Sequence, residues 1–303
     1  MSDLFTATTA AQVEEALARG ESTEEERGER FLSLTPLISA CERGELEVVD
    51  CLLNHGADPH HIPRETSFGP IQVAAKEGHA AIVERLIRAG IDINHNRGGQ
   101  EGSTALILAS REGHVDVVDC LLSLGADTEV RDWEGMTALM AASDRGRIDV
   151  VDRLLAAGSN VNTLSQGVSA LMLAAQEGFV SIIDRLVVHG ADFDLQSNGG
   201  NNALMLASNA GHIEAVDRLL SLGCDLNVQN LLGRTALMLA SSQGKIDIVR
   251  LLLDHGADPL IQSKGGKRAI DLAPSPEIQT LLNGLILLSF HHHHHHHHHH
   301  HVP

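Results

Sequence analysis

Apolar positions along this chain follow one two-part pattern that returns about every 33 residues. The stretch 135–162, GMTALMAASDRGRIDVVDRLLAAGSNVN, states it most fully. Gly135 permits a tight turn, because it has no Cβ to clash at positive φ. Thr137 stands where a helix should begin, with a hydroxyl able to accept from a free backbone N–H. Ala138, Leu139, Ala141 and Ala142 predict a short helix that is small and apolar on its packing side, ended by Gly146. Ile148, Val150, Val151, Leu154 and Leu155 then recur at helical spacing between Asp149, Asp152 and Arg153, predicting a second helix. Gly158 closes it, and Ser159-Asn160-Val161-Asn162 is turn chemistry. Neither helix is long enough to persist alone in water. Each must bury its stripe on a neighbour, so one copy predicts more.

The copies are in register. The first full one begins at Thr35-Pro36-Leu37, and the place of Thr35 is taken later by Gly69, Thr104, Thr137, Ser169, Asn202, Thr235 and Arg268. The two long steps come early, which puts insertions in the turns at 60–68 and 95–103. The second copy, Gly69-Pro70-Ile71, has lost the capping hydroxyl, although Pro suits a first helical turn. Residues 3–20 look like a worn first copy, with Val13, Ala16, Leu17 and Gly20 in the expected places. The charged insert 21–30, ESTEEERGER, reads as a solvated loop, or else as a docking point for a basic partner. The last copy starts at Lys267 and is cut short by Pro274 and Pro276, after which Ser275 can cap a closing helix through Ile278, Leu281 and Leu282. Three segments follow: 1–30, an N-terminal cap and acidic loop; 31–285, the array with its C-terminal cap; and 286–303, an apolar piece and tail expected to be disordered.

These pieces resemble the ankyrin repeat. The resemblance rests on Thr35-Pro36-Leu37, the Thr-Ala-Leu triplets at Thr104, Thr137 and Thr235, the Gly-His pairs at Gly78, Gly113 and Gly211, and the Gly-Ala-Asp turns at Gly56, Gly125, Gly190 and Gly256. About seven copies plus end caps cover residues 3–285. The resemblance implies an all-α solenoid of stacked antiparallel helix pairs, with projecting β-hairpin-like turns and a concave face. The chain departs from the family systematically. Where the family has His after Thr-Pro-Leu, this chain has Ile38, Gln72, Ile107, Met140, Met172, Met205 and Met238, which puts the usual His-centred bonding between copies in doubt. The Met stripe falls on the first helices and reads as packing.

Composition narrows the function. A formal net charge of −18 argues against nucleic-acid and anionic-membrane partners. Aromatics are 2% of residues, with one Trp and no Tyr, as suits thin helices packed through Ala, Leu, Val and Ile. Cys41, Cys51, Cys120 and Cys224 lack metal-ligand spacing and read as reduced thiols. Ser2-Asp3-Leu4 does not begin a secretory signal, and no run is long enough for a membrane helix. The expected compartment is the cytoplasm, with the nucleus left open, and the expected state is a monomer.

No set of nucleophile, base and orienting group stands out, so no catalytic residue and no cofactor are expected. Gly98-Gly99 and Gly199-Gly200 lack the strand and long helix of a phosphate loop. His79, His114 and His212 recur with the repeat and read as structural, and the aspartates of the second helices mark an acidic outer face. Eleven consecutive His from 291 to 301 could bind transition metals, which makes a metal-binding protein the alternative function; a purification tag or inert tail is the plainer reading.

The leading expectation is a non-enzymatic scaffold that binds a partner protein. By family resemblance, contacts come from the hairpin tips and the ends of the first helices. On this chain these are Arg111, Glu112, Arg131, Trp133, Met136, Asp144, Arg145, Gln176, Glu177, Leu231, Leu232 and Arg234. Trp133 is the single Trp and sits in a turn; it reads as an interface anchor or as lateral packing on the next hairpin. Net charge favours a basic partner. Asn94 and Asn227 follow Leu86 and Leu219 in a spacing similar to that of ankyrin asparagines that are hydroxylated, although Asn is also simply a good turn residue.

Overall fold

The computed structural model of the chain describes residues 1–28, 34–64 and 67–298. Parts of the charged insert and of the turn at 60–68, and the end of the tail, lie outside these. The described residues form seventeen helices and three isolated bridges. They divide into two units, Met1–Val161 and Asn162–Pro303.

In the first unit, α1 (Ala10–Ala18) is followed by four helix pairs. The first helices are α2 (Pro36–Arg43), α4 (Pro70–Glu77), α6 (Ala105–Glu112) and α8 (Ala138–Arg145). Their partners are α3 (Leu46–Asn54), α5 (Ala80–Arg88), α7 (Val115–Ser123) and α9 (Ile148–Ala156). Each first helix packs on its own second helix, the four first helices pack in turn (α2 on α4, α4 on α6, α6 on α8), and α1 packs on α3. The second unit repeats the scheme. Its first helices are α10 (Ala170–Glu177), α12 (Ala203–Ala210), α14 (Ala236–Ser242) and α16 (Ala269–Leu272). They pair with α11 (Val180–Val188), α13 (Ile213–Ser221), α15 (Ile246–Asp254) and α17 (Pro276–His298). The helix pairs predicted from periodicity are therefore present.

The cap column explains where the first helices start. The side chains of Thr35, Thr104, Thr137, Ser169, Asn202 and Thr235 each accept from the backbone N–H three residues on, at 2.9 to 3.3 Å. Gly69 has no side chain to do this. Gln72 instead secures the helix start from the other side: its Oε1 accepts from the Gly69 N–H and its Nε2 donates to the Ser103 carbonyl, both at 2.8 Å. Gln72 stands where the family has His, so at this one place a polar link between copies survives. Ile38, Ile107, Met140, Met172, Met205 and Met238 occupy the same place and are buried apolar contacts.

A column of small residues, Cys41, Ala75, Ser110, Ser143, Ala175, Ser208 and Ser241, is fully buried and lets neighbouring first helices approach closely. In several copies the residue after the helix-ending glycine reaches back to the preceding copy. His79 Nε2 donates to the Glu42 carbonyl at 3.1 Å, His114 Nε2 to the Lys76 carbonyl at 2.8 Å, and Arg147 Nε to the Arg111 carbonyl at 3.1 Å. The left-handed backbone already favours glycine at these places, and this contact adds a second reason. At Gly78, with φ +86°, a Cβ would lie 2.8 Å from the His114 ring. The recurring histidines are thus inter-copy staples.

On the outer side, Arg85 meets Asp50, Arg153 meets Asp119 at 3.0 Å and Arg218 meets Asp184 at 3.4 Å. Such exposed pairs contribute at most about 1 kcal/mol each. Burying one Leu contributes about 1.5–3 kcal/mol. Apolar burial therefore holds the stack, and the ion pairs help set its register.

Two segments differ from the sequence expectation. The charged insert is pinned rather than loosely solvated as far as residue 28. Glu24 accepts from the Asp58 N–H at 2.9 Å, and His61 lies between Glu24 and Glu26, at 2.6 and 2.9 Å. Arg27 pairs with Asp3 at 2.7 Å and covers the Phe5 ring. In the tail, α17 continues to His298, through a segment expected to be disordered. Leu285 to Leu288 and the His run contain no Pro or Gly to stop a helix already started.

Burial pulls the His61 pKa down, but the two carboxylates outweigh it, and the value lies above the ordinary 6.5. His61 then stabilises the insert fully below pH 6.5, and that contribution fades as pH rises through the folded value. An NMR titration should find His61 titrating above 6.5, and Glu26→Gln should lower it. Thr137→Ala should destabilise the protein by about 1 kcal/mol in urea unfolding, because a buried N–H loses its cap, while Thr137→Ser should change little.

Candidate functional site

The hairpin tips are built by one local rule. Asp132 Oδ1 accepts from the N–H groups of Glu134 and Met136, both at 2.9 Å, and Gly135 donates to the Asp132 carbonyl. Asn230 does the same for Leu232 and Arg234 at 3.0 Å. Tips then join to the tip before. The Trp133 N–H donates to the Glu101 carbonyl, Leu231 to Gly199 and Lys264 to Leu232. These links between tips use backbone groups, so the side chain at the place of Trp133 is left free to differ, while Asn198, Gln229 and Asn230 add side-chain links between neighbouring tips of the second unit.

Trp133 uses that freedom. Its indole rests on Gly102, where φ is +68° and a Cβ would lie within 2.3 Å of the ring. Trp133 is nevertheless 68% exposed. It therefore packs laterally, on the preceding hairpin rather than the next, while remaining open to solvent. Beside it lies a cavity of 340 Å³ lined by Gln100, Glu101, Arg111, Asp132, Trp133, Glu134, Met136, Ala141, Asp144 and Arg145. Arg111 pairs with Glu101 at 3.1 Å and also reaches Ser103. Arg145 is 4.0 Å from Asp144. Four carboxylates against two guanidinium groups leave the lining acidic. Trp133 also borders a second depression of 480 Å³, with Ile62, Arg64, Asn96, Arg97 and Gly98.

Of the residues expected to meet a partner, Arg111, Trp133, Met136, Asp144 and Arg145 come together in the first cavity. Glu112 and Arg131 are not in its lining. In the second unit, Leu231 and Leu232 are exposed on their tip at 60% and 61%, beside half-buried Arg234, while Gln176 and Glu177 are exposed at the end of α10. The cavity also takes in Gln100, Glu101, Asp132 and Ala141, which sequence reasoning missed. Glu101 stands 32 residues before Trp133, about one repeat, so the register alone could have found it.

Asn94 and Asn227 have structural work. Asn94 Oδ1 accepts from the Asp127 N–H at 2.9 Å, and Asn227 Oδ1 from the Asp258 N–H at 3.0 Å. Asn162, at the same place in another copy, accepts from Asp192 at 2.8 Å. These asparagines link successive turns, whatever else happens to them. The four thiols are unpaired, and burial pushes Cys41 and Cys224 well above the ordinary thiol range. Among the described residues no helix is long and apolar enough to cross a membrane.

Paired antiparallel helices, capped by one recurring residue and linked through projecting turns, define a helical-repeat protein. The family model "Ankyrin repeats (3 copies)" matches residues 9–97, 71–165 and 166–263. The chain belongs to the ankyrin repeat family. It is similar to the solved human ASB11 ankyrin repeat domain, with 26% identity and a TM-score of 0.65 over 71% of this chain and 96% of that one. An ankyrin repeat and KH domain-containing protein of Caenorhabditis briggsae is 39% identical over 100 residues, which are 33% of this chain and 4% of the relative. Ankyrin repeat domain-containing protein 63 of Homo sapiens is 36% identical over 88 residues, 28% of this chain and 22% of the relative. The matched part is thus under a quarter of these relatives' length. Ankyrin repeats are generally protein–protein interaction modules and typically not enzymes.

Gly102→Ala should displace the indole from its seat. Because Trp133 is the single Trp, its fluorescence maximum reads this directly, and a shift relative to the parent chain is the expected outcome.

Proposed function

We propose that the protein is a non-enzymatic interaction module whose first unit binds a partner protein at the hairpin edge around Trp133. The observation that supports this most is the acidic cavity beside an exposed indole that stacking does not require. The partner would present a Lys or Arg side chain. Glu101, Asp132, Glu134 and Asp144 supply charge, and the face of Trp133 attracts a cation directly. Arg145 at the rim would meet an acidic or carbonyl group next to it. A net charge of −18 would speed encounter with a basic surface.

In the same reading Leu231, Leu232 and Arg234 form a further contact point in the second unit, with Gln176 and Glu177. Residues 1–30 and the front of α17 close the ends of the array at 31–285, and 286–303 lie outside it. Four unpaired thiols support a reducing compartment such as the cytoplasm.

Capture of a partner from lysate on the full chain tests this. The double variant Trp133→Ala, Arg145→Ala should lose at least about tenfold in affinity, since loss of an anchoring Trp or Arg removes about 2 kcal/mol or more. Its circular dichroism should be unchanged, and added salt should weaken capture by the parent chain. Unchanged capture by the folded double variant would refute the site.

A further inference from the structure

At the start of the first unit, α1 lies against α3 and brings together three ligating groups of different kinds. Glu14 comes from α1; Cys51 and His55 lie four residues apart on the last turn of α3 and its cap. The carboxylate, thiol and imidazole atoms all lie within 4.8 Å of one another, and His55 Nε2 is 3.7 Å from Glu14 Oε1. Cys51 is 8% exposed, with Sγ 3.8 Å from the Ala10 carbonyl, so the sulfur faces α1 at a fixed place. The stack does not ask for this set. At the place of Cys51 the later second helices carry Arg85, Cys120, Arg153, Arg185, Arg218 and Leu251. At the place of His55 they carry Ala89, Leu124, Ala157, His189, Leu222 and His255, so Cys and His coincide in the first copy alone.

We propose that Glu14, Cys51 and His55 bind a divalent cation of the zinc class, with water completing its coordination. One thiolate, one imidazole and one carboxylate is a donor set that suits zinc better than magnesium or calcium, which prefer oxygen alone. Ligand atoms about 2.0–2.3 Å from one ion stand roughly 3.3–3.8 Å apart, so the cluster must contract slightly. Glu14 and His55 have side chains 65% and 43% exposed and are free to move, while Cys51 supplies the fixed point. On binding, the S–H bond breaks, sulfur keeps the electron pair and bonds the metal, and the proton leaves to solvent. The ion would tie α1 to α3.

The His run at 291–301 also binds such ions, so the test must report on sulfur. Cobalt(II) added to the full chain should give a near-ultraviolet thiolate-to-metal charge-transfer band, which imidazoles do not produce. The band should vanish in Cys51→Ser, weaken in Glu14→Gln, and persist in Cys120→Ser. Zinc should also slow alkylation of Cys51, but not of Cys120, in peptide mass spectrometry. Absence of the band from the parent chain, or its survival in Cys51→Ser, would overturn the proposal. Glu14 is exposed and leaves the fold untouched, so an undiminished band in Glu14→Gln would remove the carboxylate from the site.

Discussion

In the first unit the side chains of His79, His114 and Arg147, each following a helix-ending glycine, reach back to the first helix of the copy before, and much of the unit depends on that contact. A first helix of eight residues cannot hold itself together in water. Its hydroxyl cap satisfies one end. Its other end leaves carbonyls open, and His79, His114 and Arg147 close some of them from the next copy. The glycines at 44, 78 and 113 are the counterpart, since a Cβ there would strike the incoming side chain. Apolar burial supplies most of the energy, but this contact fixes the spacing at which burial occurs.

The same contact positions the candidate site. Arg147 holds the carbonyl of Arg111, and the Arg111 side chain then turns to Glu101 on the cavity wall. The Trp133 tip is joined to the tip before it through a backbone N–H, so its side chain could be accommodated without disturbing that link, provided Gly102 stayed small. Stacking thus leaves the helices little latitude and the tips a great deal. The tips are therefore where a binding surface could differ from copy to copy at least cost to the fold.

The register of the array was legible because caps and glycines are tied to backbone conformation. All eight positions aligned with Thr35 prove to be helix starts, including Gly69 and Arg268, which lack the hydroxyl. What could not be read depended on long-range partners. Gln72 looked like a lapse in the pattern, yet it satisfies the Gly69 N–H at the helix start and bonds the next copy. The acidic insert looked solvated because its partners, Asp58 and His61, lie over thirty residues away. Trp133, Met136 and Arg145 stood out as departures from the repeat, whereas Asp132 was hidden among turn residues and Glu101 in an irregular loop. In the cluster of Glu14, Cys51 and His55 the sequence shows only the four-residue step from Cys51 to His55, since the third ligand comes from another helix.

The helices stack, and the proposed role of the tips is recognition. Hydrogen–deuterium exchange on the full chain, with and without its captured partner, addresses this most directly. Added protection should gather at 100–103, 131–136 and 144–145, with the second helices α3, α5, α7 and α9 unchanged. Protection confined to those second helices, with the Trp133 tip exchanging as before, would contradict it.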